Sequence, residues 1–188
     1  MPNYSVSLAQ IMIPGGDISE QISTASKEAS GTGNMKFMMN GAVTVATMDG
    51  ANVEIHREVG DDNIIVFGLS SDEVINYNIH GGYNSRDVIG RDPRIIRIIE
   101  QLNSSYNGLV PEGEFHQIVH HLVDANDPFY TLADFDSYVK AQNSINGLFS
   151  DKNKWNKMAA TNIACSGVFS SDNTIKRYAD EIWKVDLR

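Results

Sequence analysis

The chain has 188 residues, of which 41% are hydrophobic and 21% charged, and this composition excludes a disordered protein. Its net charge of −9 disfavours a general surface for nucleic acid or anionic membrane. The one cysteine, Cys165, cannot form an internal disulfide and fits a reducing compartment. No apolar run approaches the ~20 residues of a membrane span, and no signal peptide is visible at the N-terminus. We therefore expect a cytoplasmic protein.

The first distinctive element along the chain is a glycine turn, Gly31-Thr32-Gly33, followed by a methionine-rich stretch with helical spacing. Such a turn can gather backbone NH groups, and a helix N-terminus attracts phosphate. The spacing matches neither the G-x-G-x-x-G fingerprint nor the P-loop. Two interpretations stay open at this point: a phosphate site, or an ordinary glycine turn that enters a helix.

A single cation, Lys36, lies inside the methionine-rich stretch. Phe37 falls on the opposite side of the helix from Met35 and Met39, so the pattern predicts a helix that is apolar nearly all round and therefore buried. Burial disfavours the charged form of a lysine, and a neutral amine can react with the aldehyde of a cofactor such as pyridoxal phosphate (PLP). The alternatives are a lysine whose amine reaches the surface, or one that pairs with Glu28.

Strand and helix signals alternate through the rest of the first half. The β-branched segment 43–47 and the apolar run 64–67 predict two strands, the second buried on both faces. Residues 52–58 predict a short helix between them, and Ser70 with Glu73 has the spacing of a capping box that opens another helix. This order predicts a parallel α/β architecture.

The second half is predicted to be helical. Asp92-Pro93 forms a good helix start, and apolar stripes predict further helices near 93–102, 115–123, 134–148, 151–164 and from about residue 173. Because an α/β sheet typically has ~5 or 6 strands and only two are predicted here, we expect an incomplete sheet with an exposed edge. The chain is accordingly expected to begin partway into a domain.

Three stretches together resemble the α-glucan phosphorylases, the glycogen, starch and maltodextrin phosphorylase family. They are EASGTGNMKFMMNGAVTVATMDGANVEI, the preceding SVSLAQIMIPGGDISEQISTASK, and the C-terminal NIACSGVFSSDNTIKRYADEIW. The similarity covers the chain from Asn3 to about Val185. It implies the two-domain GT-B fold, with residues 1–188 forming the C-terminal portion of the second, PLP-binding domain and with the upstream part and the first domain absent.

The resemblance also implies the roles of particular residues. Lys36 would carry PLP covalently and is the expected catalytic residue. The remaining expected site residues are Thr32 and Gly33 for the 5′-phosphate of the cofactor, and Glu28, Ser30 and Gly31 for the hydroxyls of the bound glucose. A carboxylate that accepts from sugar hydroxyls while neighbouring NH groups donate is reasonable sugar chemistry.

The implied reaction is a glycosyl transfer in glycogen metabolism. Orthophosphate cleaves the terminal α-1,4-linked glucose of a glucan and gives α-glucose 1-phosphate with retained configuration, while the PLP phosphate exchanges a proton with the substrate phosphate. The complete enzyme is expected to be a homodimer; the preferred glucan and any allosteric control stay open. The alternative is a truncated fragment that folds or associates without catalysis of its own, because the phosphate-binding cations of the family lie upstream.

Two other patterns look chemical. His116 and His120 have the i, i+4 spacing of zinc-binding helices, but no third ligand is evident, so we interpret them as part of a solvated helix and expect no metal site. Asp49 and Glu54 are either a carboxylate pair or turn and capping residues, of which we favour the second.

The remaining conspicuous side chains are expected to be structural. Cys165 has no neighbour that would activate it, so we interpret it as a packed thiol. Trp155 and Trp183 lie on apolar helix stripes, which predicts that both indole rings belong to the core.

Overall fold

A computed structural model describes residues 3–185, so Met1 and Pro2 of the N-terminal stretch interpreted above lie outside it. Its centre is a parallel sheet of three strands, β1 (Ile18–Gln21), β2 (Val43–Ala46) and β3 (Ile65–Val66), in the order β1-β2-β3. A helix connects each pair of neighbouring strands, which is the connection that parallel pairing requires.

The described residues contain the predicted helices and three further ones, at Val6–Met12, Ser85–Arg91 and Ser105–Gly108, that the sequence pattern did not predict. In chain order the helices are α1 (Val6–Met12), α2 (Gly33–Met39), α3 (Asn52–Val59), α4 (Ser71–His80), α5 (Ser85–Arg91), α6 (Pro93–Asn103), α7 (Ser105–Gly108), α8 (His116–Val119), α9 (Thr131–Ser150), α10 (Lys152–Cys165) and α11 (Ser171–Arg177). Turns of 3-10 helix cover Ile13–Gly15, Asp61–Asn63 and Ser166–Phe169, and π-helical turns cover His120–Asp124 and Tyr178–Trp183. Within residues 3–185, every helix is too short or too polar to span a bilayer.

The α/β class with few strands is confirmed, and the structure adds one strand that the sequence pattern did not predict. β1 pairs with β2 in the register Ile18↔Val43 to Gln21↔Ala46. Its sequence, Ile-Ser-Glu-Gln, has no apolar alternation, because Ser19 fills the buried position that a β-branched residue usually occupies. The sheet is open, as expected: within the described residues, β1 and β3 each pair along one edge.

The larger part of the core lies where α9 and α10 pack against β2. Val43 and Val45 are fully buried against Ala141, Ile145 and Trp155. The two valines point to the same face because successive strand residues alternate. The prediction that Trp155 belongs to the core is therefore confirmed.

A second cluster joins the two crossover helices to the end of α10. Met38 of α2 packs with Ile55 and Val59 of α3, and Cys165 lies half-buried against them. The packed-thiol interpretation of Cys165 is thus confirmed. This cluster fixes α2 against α3, which matters for the site described below.

The prediction for Trp183 is wrong. Its side chain is 56% exposed, and it stacks on Tyr178 with ring centroids 5.6 Å apart. Ile175 and Ile182 on the same face are exposed as well, and Ala179 is the buried residue of this segment. An apolar stripe becomes core only where another element covers it, and no part of residues 3–185 covers this one.

The start of α4 holds the capping box that the sequence predicts. Ser70 accepts from the backbone NH of Glu73, and the Glu73 carboxylate accepts from the backbone NH of Ser70 at 2.8 Å. The backbone NH and the hydroxyl of Ser70 both donate to the Glu73 carboxylate, which stabilises its ionised form and lowers the pKa of Glu73. The helix that follows β3 is therefore fixed at its first turn.

A buried acid, Asp134, connects the end of β3 to α9. Its carboxylate accepts from the backbone NH of Leu69 at 2.7 Å, and Ser137 accepts from the NH of Gly68 at 2.9 Å. Burial raises the pKa of Asp134, and the nearby negative charge of Asp127 adds to this effect. The folded protein therefore binds this proton more tightly than the unfolded chain does.

A raised pKa means that Asp134 contributes most stability at low pH and loses that contribution as the pH rises through the folded-state pKa. The variant Asp134→Asn cannot titrate but keeps an oxygen for the Leu69 NH. We expect the Tm of the variant minus that of the wild type to increase between about pH 4 and pH 7. Asp62→Asn, at an exposed carboxylate in the 3-10 turn Asp61–Asn63, is the matched control. Thermal unfolding followed by circular dichroism measures this, and a pH-independent difference would contradict it.

Candidate active site

The candidate residues lie at the carboxyl edge of the sheet. The chain leaves β1 into residues 22–32, which lead to α2, and leaves β2 into residues 47–51, which lead to α3. Because the strands are parallel, these two loops meet at the same edge, where sites of α/β proteins gather. The sheet topology thus brings the glycine turn next to the segment that follows β2.

The glycine turn has the conformation that its sequence suggests. Gly31 has φ +78°, in the left-handed region that favours glycine, and α2 begins two residues later at Gly33. The Thr32 carbonyl accepts from the Lys36 NH at 3.3 Å, while the Thr32 side chain makes no capping hydrogen bond. The Thr32 hydroxyl is therefore available to a ligand.

Asp49 holds the segment that precedes the turn. Its side chain is 5% exposed, and its carboxylate accepts from the backbone NH groups of Ser26 at 2.9 Å, Lys27 at 3.2 Å and Glu28 at 2.7 Å. Glu54 is exposed in the first turn of α3. Asp49 and Glu54 are thus not a carboxylate pair, and the turn role of Asp49 is confirmed.

Two further residues of the segment after β2 hold the turn itself. The Ala51 NH donates to the Ser30 carbonyl at 2.8 Å. Gly50 lies so close to this carbonyl that a Cβ would stand 2.5 Å from its oxygen, and its φ is +51°. A glycine is therefore required at position 50 by both space and backbone conformation.

A pair of buried asparagines locks α2 to α3. The Asn34 amide donates to the Asn52 side-chain oxygen at 2.8 Å, and the Asn52 amide donates to the Thr47 carbonyl at 3.2 Å. Both side chains are buried, so leaving either one unpaired would cost free energy. The helix that carries Lys36 is thereby fixed separately from the segment that Asp49 holds.

The expected ligand-binding residues share one surface. Glu28, Ser30, Thr32 and Gly33 are all exposed, and Gly31 between them is half-buried. The Ser30 hydroxyl donates to the Gly31 carbonyl at 3.1 Å. A Cβ on Gly33 would meet no atom within 4 Å, so this end of α2 is open surface.

The expectation of a buried α2 is wrong. Met38 is fully buried, and Met35 and Phe37 are half-buried, but Lys36 and Met39 are exposed. The helix is only partly buried because the side that carries the lysine faces an open groove. Its amine therefore reaches the surface, as in one of the alternatives, while no ion pair with Glu28 forms.

Lys36 lines a groove of about 300 Å³ between α1 and α2. The side chains of Val6, Ala9 and Ile13 supply an apolar wall, and Tyr4 adds an aromatic ring. Sequence reasoning did not find Tyr4, because a lone aromatic residue near the N-terminus forms no pattern by itself. The groove volume lies at the lower end of the range for small-molecule sites.

The histidine pair belongs to a solvated surface, as interpreted. His120 contacts the carboxylate of Asp124 at 3.3 Å, both side chains are about half-exposed, and His116 is exposed. No three His, Cys, Asp or Glu side chains within residues 3–185 are grouped so that they could hold a metal ion.

The fold and site together define a parallel α/β unit whose first crossover helix carries an accessible lysine directly after a glycine turn. Residues 1–185 match the sequence profile of the carbohydrate phosphorylases. This match extends over nearly the whole chain, so the chain belongs to the carbohydrate phosphorylase family.

Curated relatives support the same family. The chain is 50% identical over 186 residues to the glycogen phosphorylase of Bacillus subtilis and 47% identical over 186 residues to the muscle form of glycogen phosphorylase from rat (Rattus norvegicus). It is 43% identical over 188 residues to the glycogen phosphorylase of Chlamydia pneumoniae. These alignments cover 98%, 99% and 100% of this chain but only 23%, 22% and 23% of the relatives, so the chain spans less than a quarter of their length.

Proposed function

We propose that this chain is the PLP-carrying C-terminal segment of an α-glucan phosphorylase. The complete enzyme would cleave terminal α-1,4-linked glucose with orthophosphate and release α-glucose 1-phosphate with retained configuration. The observation that carries the proposal is the 50% identity to a glycogen phosphorylase over 98% of this chain, which includes the glycine turn and Lys36. The Lys36 amine lines a groove and is accessible to a cofactor there. In this proposal residues 1–188 belong to the second domain of a GT-B fold.

The residues present fit the cofactor. The Lys36 amine is accessible in a mostly apolar groove, and Tyr4 lines the same groove with a ring that could pack on a pyridine. Open space beside Gly33 and the uncommitted hydroxyl of Thr32 suit a phosphate group. Thr32, Gly33 and Lys36 would therefore hold PLP, with Lys36 as its covalent anchor.

When bound, PLP supplies a phosphate group that exchanges a proton with the substrate phosphate. The residues of this chain bind and orient the reacting groups. Thr32 and Gly33 would donate hydrogen bonds to phosphate oxygens from the hydroxyl and the backbone NH. Lys36 would keep that phosphate at a fixed distance from the sugar, and such preorganisation is a large part of electrostatic catalysis.

The sugar would be held by the segment between Asp49 and the helix. The Glu28 carboxylate is exposed and would accept hydrogen bonds from glucose hydroxyls, while Ser30 and the Gly31 NH would donate. Hydrogen bonds to sugar hydroxyls that strengthen in an oxocarbenium-like transition state contribute to glycoside cleavage. Glu28, Ser30 and Gly31 are accordingly proposed as substrate-binding residues.

A second candidate function is association without catalysis. Within residues 3–185 the three-stranded sheet has unpaired edges, and large apolar side chains such as Ile22 and Phe129 are exposed near its carboxyl end. Exposed apolar surface of this kind favours contact with other protein surfaces. In this alternative the chain folds or associates but needs the rest of a phosphorylase to act.

The main proposal also includes that the complete enzyme is a homodimer and that it is located in the cytoplasm.

We predict that Lys36→Ala in the full-length phosphorylase containing this chain abolishes covalent PLP attachment and nearly all phosphorolysis. The variant removes the primary amine that lines the groove. Because the Lys36 side chain is exposed, its loss should lower the free energy of unfolding by only about 0.5 kcal/mol or less. Borohydride reduction followed by peptide mass mapping locates the pyridoxyl group.

The matched control is Lys27→Ala, which removes the other lysine near the turn. Lys27 is exposed and precedes the turn, on the segment that Asp49 holds. We expect this variant to retain its PLP. A pyridoxyl group on Lys27, or unchanged PLP content in Lys36→Ala, would refute the assignment.

We further predict that the 188-residue chain alone produces no glucose 1-phosphate from glycogen and orthophosphate. Thr32, Gly33 and Lys36 form an open surface, so substrate phosphate would remain hydrated and without fixed counter-charges. An enzyme-coupled assay for glucose 1-phosphate tests this. Turnover that rises in proportion to the concentration of the purified chain, and that disappears in Lys36→Ala, would contradict the prediction.

A further inference from the structure

We propose that Asp49 is a positioning residue for the sugar-binding segment, a role that rests on the proposed function. Asp49 does not reach the ligand surface itself. It acts by fixing the backbone from Ser26 to Glu28, so that the Glu28 carboxylate meets the sugar hydroxyls in one orientation.

The geometry of the three hydrogen bonds supports this role. One carboxylate oxygen of Asp49 accepts from Ser26, and the other accepts from Lys27 and from Glu28, whose NH lies nearest at 2.7 Å. Hydrogen bonds from backbone NH groups to a carboxylate are about twice as strong as those between neutral groups. Three of them on one buried side chain fix consecutive peptide units, so the backbone that carries the Glu28 side chain is held in one conformation.

Few other contacts hold this segment. Residues 26–30 are exposed, and Ser26 has φ +71°, a conformation that an L-residue adopts only when its surroundings impose it. Two other hydrogen bonds contribute: the Lys27 NH also donates to the Thr24 carbonyl at 3.0 Å, and the Ala51 NH donates to the Ser30 carbonyl. The Asp49 carboxylate is therefore the charged group on which the shape of the segment depends.

The cofactor helix has its own anchor, which makes the role of Asp49 separable. Lys36 lies on α2, and α2 is fixed to α3 through the buried pair Asn34 and Asn52. A change at Asp49 should therefore disturb the sugar contacts and leave the PLP linkage unchanged. A residue needed only for folding would reduce both.

The test uses Asp49→Asn in the full-length, PLP-loaded phosphorylase. Asparagine is isosteric but offers one acceptor oxygen, and its NH2 group must face a backbone NH. We expect kcat/KM for glucose 1-phosphate in the glucan-extending direction to fall about 10- to 100-fold, as expected for a misplaced binding group. PLP content, and the yield of the pyridoxyl-Lys36 peptide after borohydride reduction of the lysine–cofactor linkage, should equal those of the wild type.

A double-mutant cycle with Glu28→Ala tests whether Asp49 acts through Glu28. If it does, Asp49→Asn should cost less than about 3-fold in a protein that already lacks the Glu28 carboxylate, because coupled residues are not additive. Glu54→Gln, a change at an exposed carboxylate five residues away, is the matched control and should leave kcat/KM unchanged.

Gly50→Ala displaces the same segment without changing Asp49, and it replaces Asp49→Asn if that variant does not fold. Its Cβ would collide with the Ser30 carbonyl oxygen, so the same loss of kcat/KM with full PLP content is expected.

The proposal is overturned if Asp49→Asn retains wild-type kinetics, if it loses PLP together with activity, or if its cost is the same with and without Glu28. An inactive wild-type protein would instead refute the proposed function, so the two failures are distinguishable.

Discussion

One buried carboxylate organises the candidate site. Asp49 follows β2, and its carboxylate accepts hydrogen bonds from three backbone NH groups of the segment that follows β1. These bonds join the two loops at the carboxyl edge of the sheet. A buried carboxylate without such donors would carry a large desolvation penalty. The hydrogen bonds and the fold of the loop therefore depend on each other, and neither is stable without the other.

The parallel sheet makes this arrangement possible. β1 and β2 run side by side, so the loops that leave them emerge at the same edge and can be tied together by short contacts. Residues 49–52 have separate roles. Asp49 holds the proposed sugar-binding segment, Gly50 leaves space for the Ser30 carbonyl, and Asn52 holds the helix that carries Lys36. The proposed substrate and cofactor contacts are thus positioned by neighbouring but distinct residues.

Much of the fold could be predicted from sequence, because local chemistry determines it. The β-branched segment of β2 and the capping box of α4 both form as their residues indicate. The strand β1 could not be predicted, since its buried residue is Ser19, whose place in the sheet is set by its neighbour Thr44 across the strand pair. Burial of whole helix faces was predicted incorrectly for Trp183, because an apolar stripe does not reveal whether another element covers it.

In the site, too, the features set by local sequence could be predicted and those set by contacts between distant residues could not. The glycine turn and Lys36 stand next to each other in the chain, and the resemblance of that stretch to the phosphorylases marked them. Asp49 and Glu28 are in contact but lie 21 positions apart in the chain, and Tyr4 and Lys36 line one groove from positions that are still farther apart. A local sequence pattern therefore cannot reveal either arrangement. The exposure of Lys36 was one of two alternatives that the sequence left open, for a related reason: α1 forms one wall of its groove and leaves the amine accessible.

The most direct test of the role of Asp49 is native-state hydrogen exchange at two adjacent amides. The Glu28 NH donates to the buried Asp49 carboxylate, whereas the Ala29 NH donates to no group in the described part of the chain. After correction for intrinsic rates, Glu28 should exchange roughly 100-fold more slowly than Ala29. Equal exchange at the two amides would show that Asp49 does not hold this segment.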